Sequence, residues 1–207
     1  MAAERYITRS CGINSGEVCV NLEVLFSNRG HLLPDFLLSV YQHFALSYPK
    51  FYKMDNLSKL GWLASELLLK NAGMNEKYDP ARIAVVLANA NSSLDNDLKY
   101  VKTISEGASP SVFVYTLPNI VIGELCIRNN FKGEHAFFIQ DEFDADFIFK
   151  QVNYLLDQQL ASACICGWVD VLGDNYKAAL FLVEDKQADN MVTFSPNNMT
   201  KIFNLVK

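Results

Sequence analysis

Between Asp79-Pro80 and Asn89 the chain reads Arg82-Ile83-Ala84-Val85-Val86-Leu87-Ala88, apolar without a break after its first residue. A run this short is no buried helix, and it lacks the alternating polarity of a strand with one wet face. It reads as a strand covered on both sides. Ala136 to Ile139, Ala161 to Trp168 and Lys177 to Glu184 repeat the pattern, with helical stretches before or between them. Fully apolar strands joined by helix-length crossovers imply an α/β fold, in which a predominantly parallel mixed sheet carries helices on both faces.

The clearest helix is Leu57 to Lys70: Leu57, Leu60, Leu63, Leu67 and Leu68 fall near helical spacing, Asp55 or Asn56 caps it, and Asn71-Ala72-Gly73 stops it. Asp144 to Leu160 is an amphipathic helix, with Ile148, Val152, Leu155, Leu156 and Leu160 on one stripe. Pro34 to Ser47 starts with a proline at a first helical position, and Leu94 to Ile104 resumes as a helix. At the amino end Arg5 to Thr8 reads as a short strand, Gly12 and Gly16 as a loop, and Val18 to Phe26 as a second strand. Val169 to Asn175 reads as a loop, Met191 to Phe194 as a short strand, and a terminal helix follows Ser195-Pro196.

With 207 residues and 50% hydrophobic content the chain can bury one substantial core. A net charge of −5 argues against nucleic acid, because phosphate binding needs clustered Lys and Arg. No apolar run is long enough to span a bilayer, and Met1 to Arg5 lacks the apolar stretch of a signal peptide, so a cytoplasmic location is expected. Cys11, Cys19, Cys126, Cys164 and Cys166 are odd in number and sit mostly in apolar segments, which fits reduced core thiols. His43, between Gln42 and Phe44, reads as structural. No glycine-rich phosphate loop, HExxH or GxSxG is present, and neither cofactor nor metal is expected.

The functional question concentrates in Ser109 to Asp146. It combines Ser109-Pro110, a helical pattern on Leu117, Ile120, Val121 and Leu125, a turn at Lys132-Gly133, and the strand Ala136 to Ile139. Asp141, Glu142, Asp144 and Asp146 then crowd the start of the next helix. A buried strand running through a polar turn into a helix is where α/β proteins place reactive groups.

These residues resemble the amino-terminal half of the β-ketoacyl-ACP synthases, condensing enzymes of the thiolase fold. Lys53-Met54-Asp55, the Leu57 to Lys70 helix and Ala72-Gly73 resemble the family's R-M-D, helix, A-G segment. Ser109-Pro110, Leu117-Pro118-Asn119, Gly123-Glu124, Ile127 and Lys132-Gly133 resemble the S-P, L-P-N, G, I and R-G-P run that precedes its nucleophile. Ala163 to Asp170 and Lys177 to Leu180 resemble the two strands that follow. The resemblance implies a thiolase-like half, with residues 1–207 as a single domain.

Two departures shape the functional expectation. The family's nucleophilic Cys lies nine residues after the Gly of R-G-P; that count from Gly133 lands on Glu142, with Gln140-Asp141-Glu142 in place of T-A-C. A carboxylate cannot replace a thiolate that must form a thioester and later leave; acylation there would give an anhydride. The family's two catalytic histidines lie in a carboxy-terminal half that residues 1–207 do not reach, and His31, His43 and His135 precede it.

The leading expectation is a non-catalytic partner or scaffold subunit of a type II fatty-acid or polyketide-like pathway, pigment or aryl polyene systems included. The family pairs sheets across a twofold, and some systems pair an active synthase with a partner lacking the nucleophile. The implied partners are a second copy or a full-length ketosynthase, and an acyl carrier protein. Phe138, Phe143, Leu117, Pro118 and Asn119 are candidate acyl or partner contacts. Two alternatives stay open: an acyl-thioester hydrolase or other enzyme using the acids around Glu142, and an acyl-chain or acyl-carrier binding module.

Overall fold

The computed structural model describes residues 4–105, 107–185 and 191–206. Its strands are β1 (Tyr6–Asn14), β2 (Glu17–Val20), β3 (Glu23–Ser27), β4 (Ile83–Asn89), β5 (His135–Ile139), β6 (Ala163–Leu172), β7 (Asn175–Glu184) and β8 (Val192–Thr193). Its α-helices are α1 (Leu33–His43), α2 (Asn56–Leu69), α3 (Met74–Lys77), α4 (Leu94–Ile104), α5 (Pro110–Phe113), α6 (Ile120–Asn129), α7 (Ala145–Asp157) and α8 (Pro196–Leu205). The strands form one sheet in the order β3-β2-β1-β7-β6-β4-β5, with β8 also pairing β1.

The mixed sheet is covered on both faces. On one side α1, α2 and α6 bury Phe36, Leu37, Leu60, Leu63 and Val121 against Val85, Ile165 and Leu180. On the other, α7 and α8 bury Ile148, Val152, Met199 and Ile202 against Val86, Cys164, Cys166 and Phe181. Burial on both faces is why β4 as far as Ala88 and much of β6 are apolar at every position. The helix starts follow local chemistry: Asp55 accepts from Ser58 N–H, Asp144 from Phe147 N–H and Ser195 from Asn198 N–H, each filling an orphan donor of the first turn.

Parallel pairing is confined to β4 with β5 and with β6; the other ladders of the described residues are antiparallel. Helical crossovers enforce the parallel pairs, whereas tight turns join β1, β2 and β3, and β6 and β7, and a tight turn can only reverse the chain. Parallel strands therefore form a smaller share than their apolar character implies.

Three local expectations are corrected. Gly12 lies inside β1, not in a loop; a Cβ there would come within 2.3 Å of Val206, so the missing side chain admits the end of α8. Val18 to Phe26 is a hairpin, turning at Asn21-Leu22 with φ of 50° and 67°, the two positive values that such a turn requires. Val169 to Asn175 is not a loop: β6 continues to Leu172 with Val169 and Val171 buried, and the turn is Gly173-Asp174.

Candidate functional site

The carboxyl ends of the parallel strands β4, β5 and β6 converge, the place where open α/β sheets hold ligands. Hydrogen bonds fix the convergence. Gln140 N–H donates to the Asn89 carbonyl at 2.9 Å, tying the end of β5 to that of β4. The fully buried Asn89 clasps Ser92, accepting from its N–H at 3.0 Å and donating Nδ2 to its carbonyl at 2.8 Å. Asp170 of β6 reaches across: Oδ1 accepts from the N–H groups of Ala90 (3.2 Å) and Asn91 (3.0 Å), and Oδ2 from Asn91 Nδ2 at 2.7 Å.

Residues 140–144 make the elbow from β5 into α7. A concavity of about 390 Å³ opens there, lined by Gln140 to Asp146 and by Thr200 of α8. Asp141 and Glu142 are exposed in the turn, and Glu142 stands two residues before the cap Asp144. Asp144 satisfies a helix N–H and Asp146 lies in the first turn, where the helix dipole favours anions. The Gln140 side-chain carbonyl oxygen is buried without a hydrogen-bond partner. Among the described residues no three His, Cys, Asp or Glu gather into a metal-holding group.

The concavity gathers Gln140, Asp141, Glu142 and Phe143, and its lining holds neither thiol nor imidazole. Phe143 also points to the α7–α8 side of the core, stacking on Phe203 and standing edge-on to Trp168. Phe138 lies outside the lining, edge-on to Phe147 with ring centroids 4.8 Å apart. Leu117, Pro118 and Asn119 form the turn into α6, also outside it; Leu117 is 57% exposed. The thiols are free: Cys11, Cys164 and Cys166 are buried, and burial raises each pKa; Cys126 is pushed up to about 11 by the same cause.

Two further features lie outside the elbow. Glu124 of α6 is buried, its carboxylate held by Lys50 Nζ at 2.9 Å and the Tyr115 hydroxyl at 3.3 Å, with Oε2 unpartnered. Leu94, Leu98, Val101 and Ile104 of α4, with Phe113 and Val114 beside them, are all exposed. The spacing of Leu94, Leu98 and Val101 was the available signal: it marks an apolar helix stripe, and here that stripe faces outward.

No protein-family model matches the chain, and no curated protein matches it. Solved structures do. The ishigamide ketosynthase/chain length factor aligns with a TM-score of 0.64 and 15% identity over 90% of this chain and 63% of that one. A type II polyketide synthase ketosynthase, solved with its acyl-carrier protein and bound to the hexaketide, aligns with 0.60 and 16% over 90% and 64%. The chain thus spans under two thirds of these two. A structure of the ketosynthase ApeO in complex with its chain length factor ApeC from Xenorhabdus doucetiae aligns with 0.55 and 11%, over 98% of this chain and 91% of that one, so those two chains are of nearly one length. No helix of the described residues is long and apolar enough to cross a membrane. Across nine tenths of its length, this chain has the thiolase-like fold of the β-ketoacyl synthases.

Proposed function

We propose that this chain is a non-catalytic, ketosynthase-like subunit that pairs with a full-length ketosynthase in a type II polyketide-like pathway. The observation that carries the reading is the elbow: the concavity where β5 turns into α7 is lined by the exposed Glu142, the residue on which the nine-residue count of the resemblance falls, and by no Cys or His. Condensation needs a soft nucleophile that accepts and releases an acyl group, which a carboxylate does not provide. The described surface also supports pairing. β5 is one of the two end strands, the other being β3; among the described residues its outer edge is unpaired, and Ile139 on it is 52% exposed. The exposed residues of α4, α5 and Leu117 add an apolar face of the kind that marks a protein interface. Two of the similar structures are of a ketosynthase with a chain length factor, and a third is of a ketosynthase with its acyl-carrier protein, which makes a synthase the first proposed partner and an acyl carrier the second.

Intact-mass spectrometry after mixing the chain with acyl carrier protein and a ketosynthase from its native gene neighbourhood tests this. The acyl mass is expected on the ketosynthase and none on this chain, while the two co-purify. An acyl adduct on this chain, or thioester hydrolysis lost on Glu142→Gln, overturns the reading.

A further inference from the structure

Away from the elbow, an open cavity of about 150 Å³ lies where β1 passes between the β2–β3 turn and β8, with α8 along one side. Its apolar wall is Ile7, Leu22, Ile202 and Leu205. Leu22 and Leu205 are 48% and 49% exposed, and Leu22 is held in the left-handed region at φ 67°, a conformation costly for a side chain of its kind. The polar side is cationic. Arg9 and Lys201 line it, with Asn198, and no carboxylate of the described residues does, although the chain carries a net charge of −5. Neither cation takes part in an ion pair among the described residues, whereas Arg5, Arg29, Lys50, Lys99 and Arg128 all do. Arg9 Nε, itself shielded from solvent, has no acceptor either.

An exposed apolar wall beside two uncompensated cations fits an amphipathic anion. We propose that this cavity binds a small carboxylate of about six carbons in all, the size of molecule that an apolar cavity of comparable volume accepts. The carboxylate lies toward Lys201 and Arg9, in a charge-assisted contact, and the apolar body covers Leu22 and Leu205. This site is separate from the elbow, and its occupation does not depend on the partner-subunit reading.

The test is titration of the full chain with hexanoate, hexanol and inorganic phosphate, followed by calorimetry and by amide chemical shifts of Asn21, Leu22 and Lys201. Hexanoate is expected to saturate, with hexanol and phosphate each at least about tenfold weaker, since each lacks one half of the recognition. Lys201→Glu and Leu205→Ser, both at exposed positions, are each expected to weaken hexanoate about tenfold while leaving the circular dichroism spectrum unchanged. No saturation up to about 10 mM, equal binding of hexanol, or unaltered affinity in Lys201→Glu overturns the proposal. Shifts confined to the elbow residues Gln140 to Asp146 overturn it equally.

Discussion

Phe143 lies flat against Phe203, with ring centroids 4.2 Å apart and planes 11° apart, so the elbow is pinned to the last helix of the described chain. Lys177 Nζ stands 4.0 Å from the centre of the Phe203 ring, and burial lowers that ammonium's pKa. Phe203→Ala removes both contacts from a half-buried site. The expected loss is about 2 kcal/mol, read as a lower urea midpoint at unchanged slope. An unchanged midpoint would mean that α8 does not hold the elbow.

Asp55 gives the fold a pH signature. Burial raises its carboxyl above the ordinary 3.8, while its bonds to Ser58 and the charge of Lys99 pull the other way. A raised folded-state value means that the folded chain holds this proton more tightly than the unfolded one. That contribution is complete below the unfolded value and is lost as pH rises through the folded value. Asp55→Asn keeps the cap and removes the titration. Its stability relative to the parent chain is expected to rise from about pH 4 to about pH 7; a difference that stays flat, or falls, contradicts the assignment.

Lys50 and Glu124 form an ion pair with one end in the core, side chains 43% and 4% exposed. Lys50→Met strands a buried carboxylate and is expected to cost about 2 to 3 kcal/mol. Adding Glu124→Gln should recover part of that loss, because the stranded charge is gone. If Lys50→Met unfolds at the parent chain's denaturant concentration, the pair contributes nothing.

Gly167 has no room for a side chain. Its φ is 144°, and a Cβ would sit 2.0 Å from the Ala179 carbonyl oxygen of the neighbouring strand. Gly167→Ala is expected to lose about 3 kcal/mol or more, seen as a collapse of soluble yield or of the thermal midpoint. A variant that melts with the parent chain would show that β6 and β7 are spaced otherwise.

The sequence made legible whatever depends on burial from both sides or on one capping side chain. β4, α2 and α7 emerge because an unbroken apolar run and the caps Asp55 and Asp144 are local signals; β5 emerges from its apolar run alone, since it lies at the sheet edge with no residue fully buried. The β2–β3 hairpin was hidden because Leu22 sits where glycine would advertise the turn. Gly12 reads as part of a loop but, like Gly167, is a point of close approach inside a strand, visible only once Val206 and Ala179 are in place. The antiparallel half is not legible because its tight turns lie inside segments that read as single strands or loops. At the elbow, the position of Glu142 was countable along the chain. The stacking of Phe143 on Phe203 joins residues 60 positions apart, and no local pattern announces it.

The central claim is that this chain keeps the shape of a ketosynthase half in order to pair with a working synthase. Light scattering on the complex co-expressed with a full-length ketosynthase from the same gene neighbourhood tests it most directly, with Leu98→Asp/Val101→Asp in parallel. Both positions are exposed on α4, at 52% and 61%, so the variant is expected to fold. The account predicts a one-to-one complex for the parent chain and separate species for the double variant. A parent chain that elutes alone beside the ketosynthase at concentrations of about 10 μM, or a complex indifferent to the two aspartates, contradicts it.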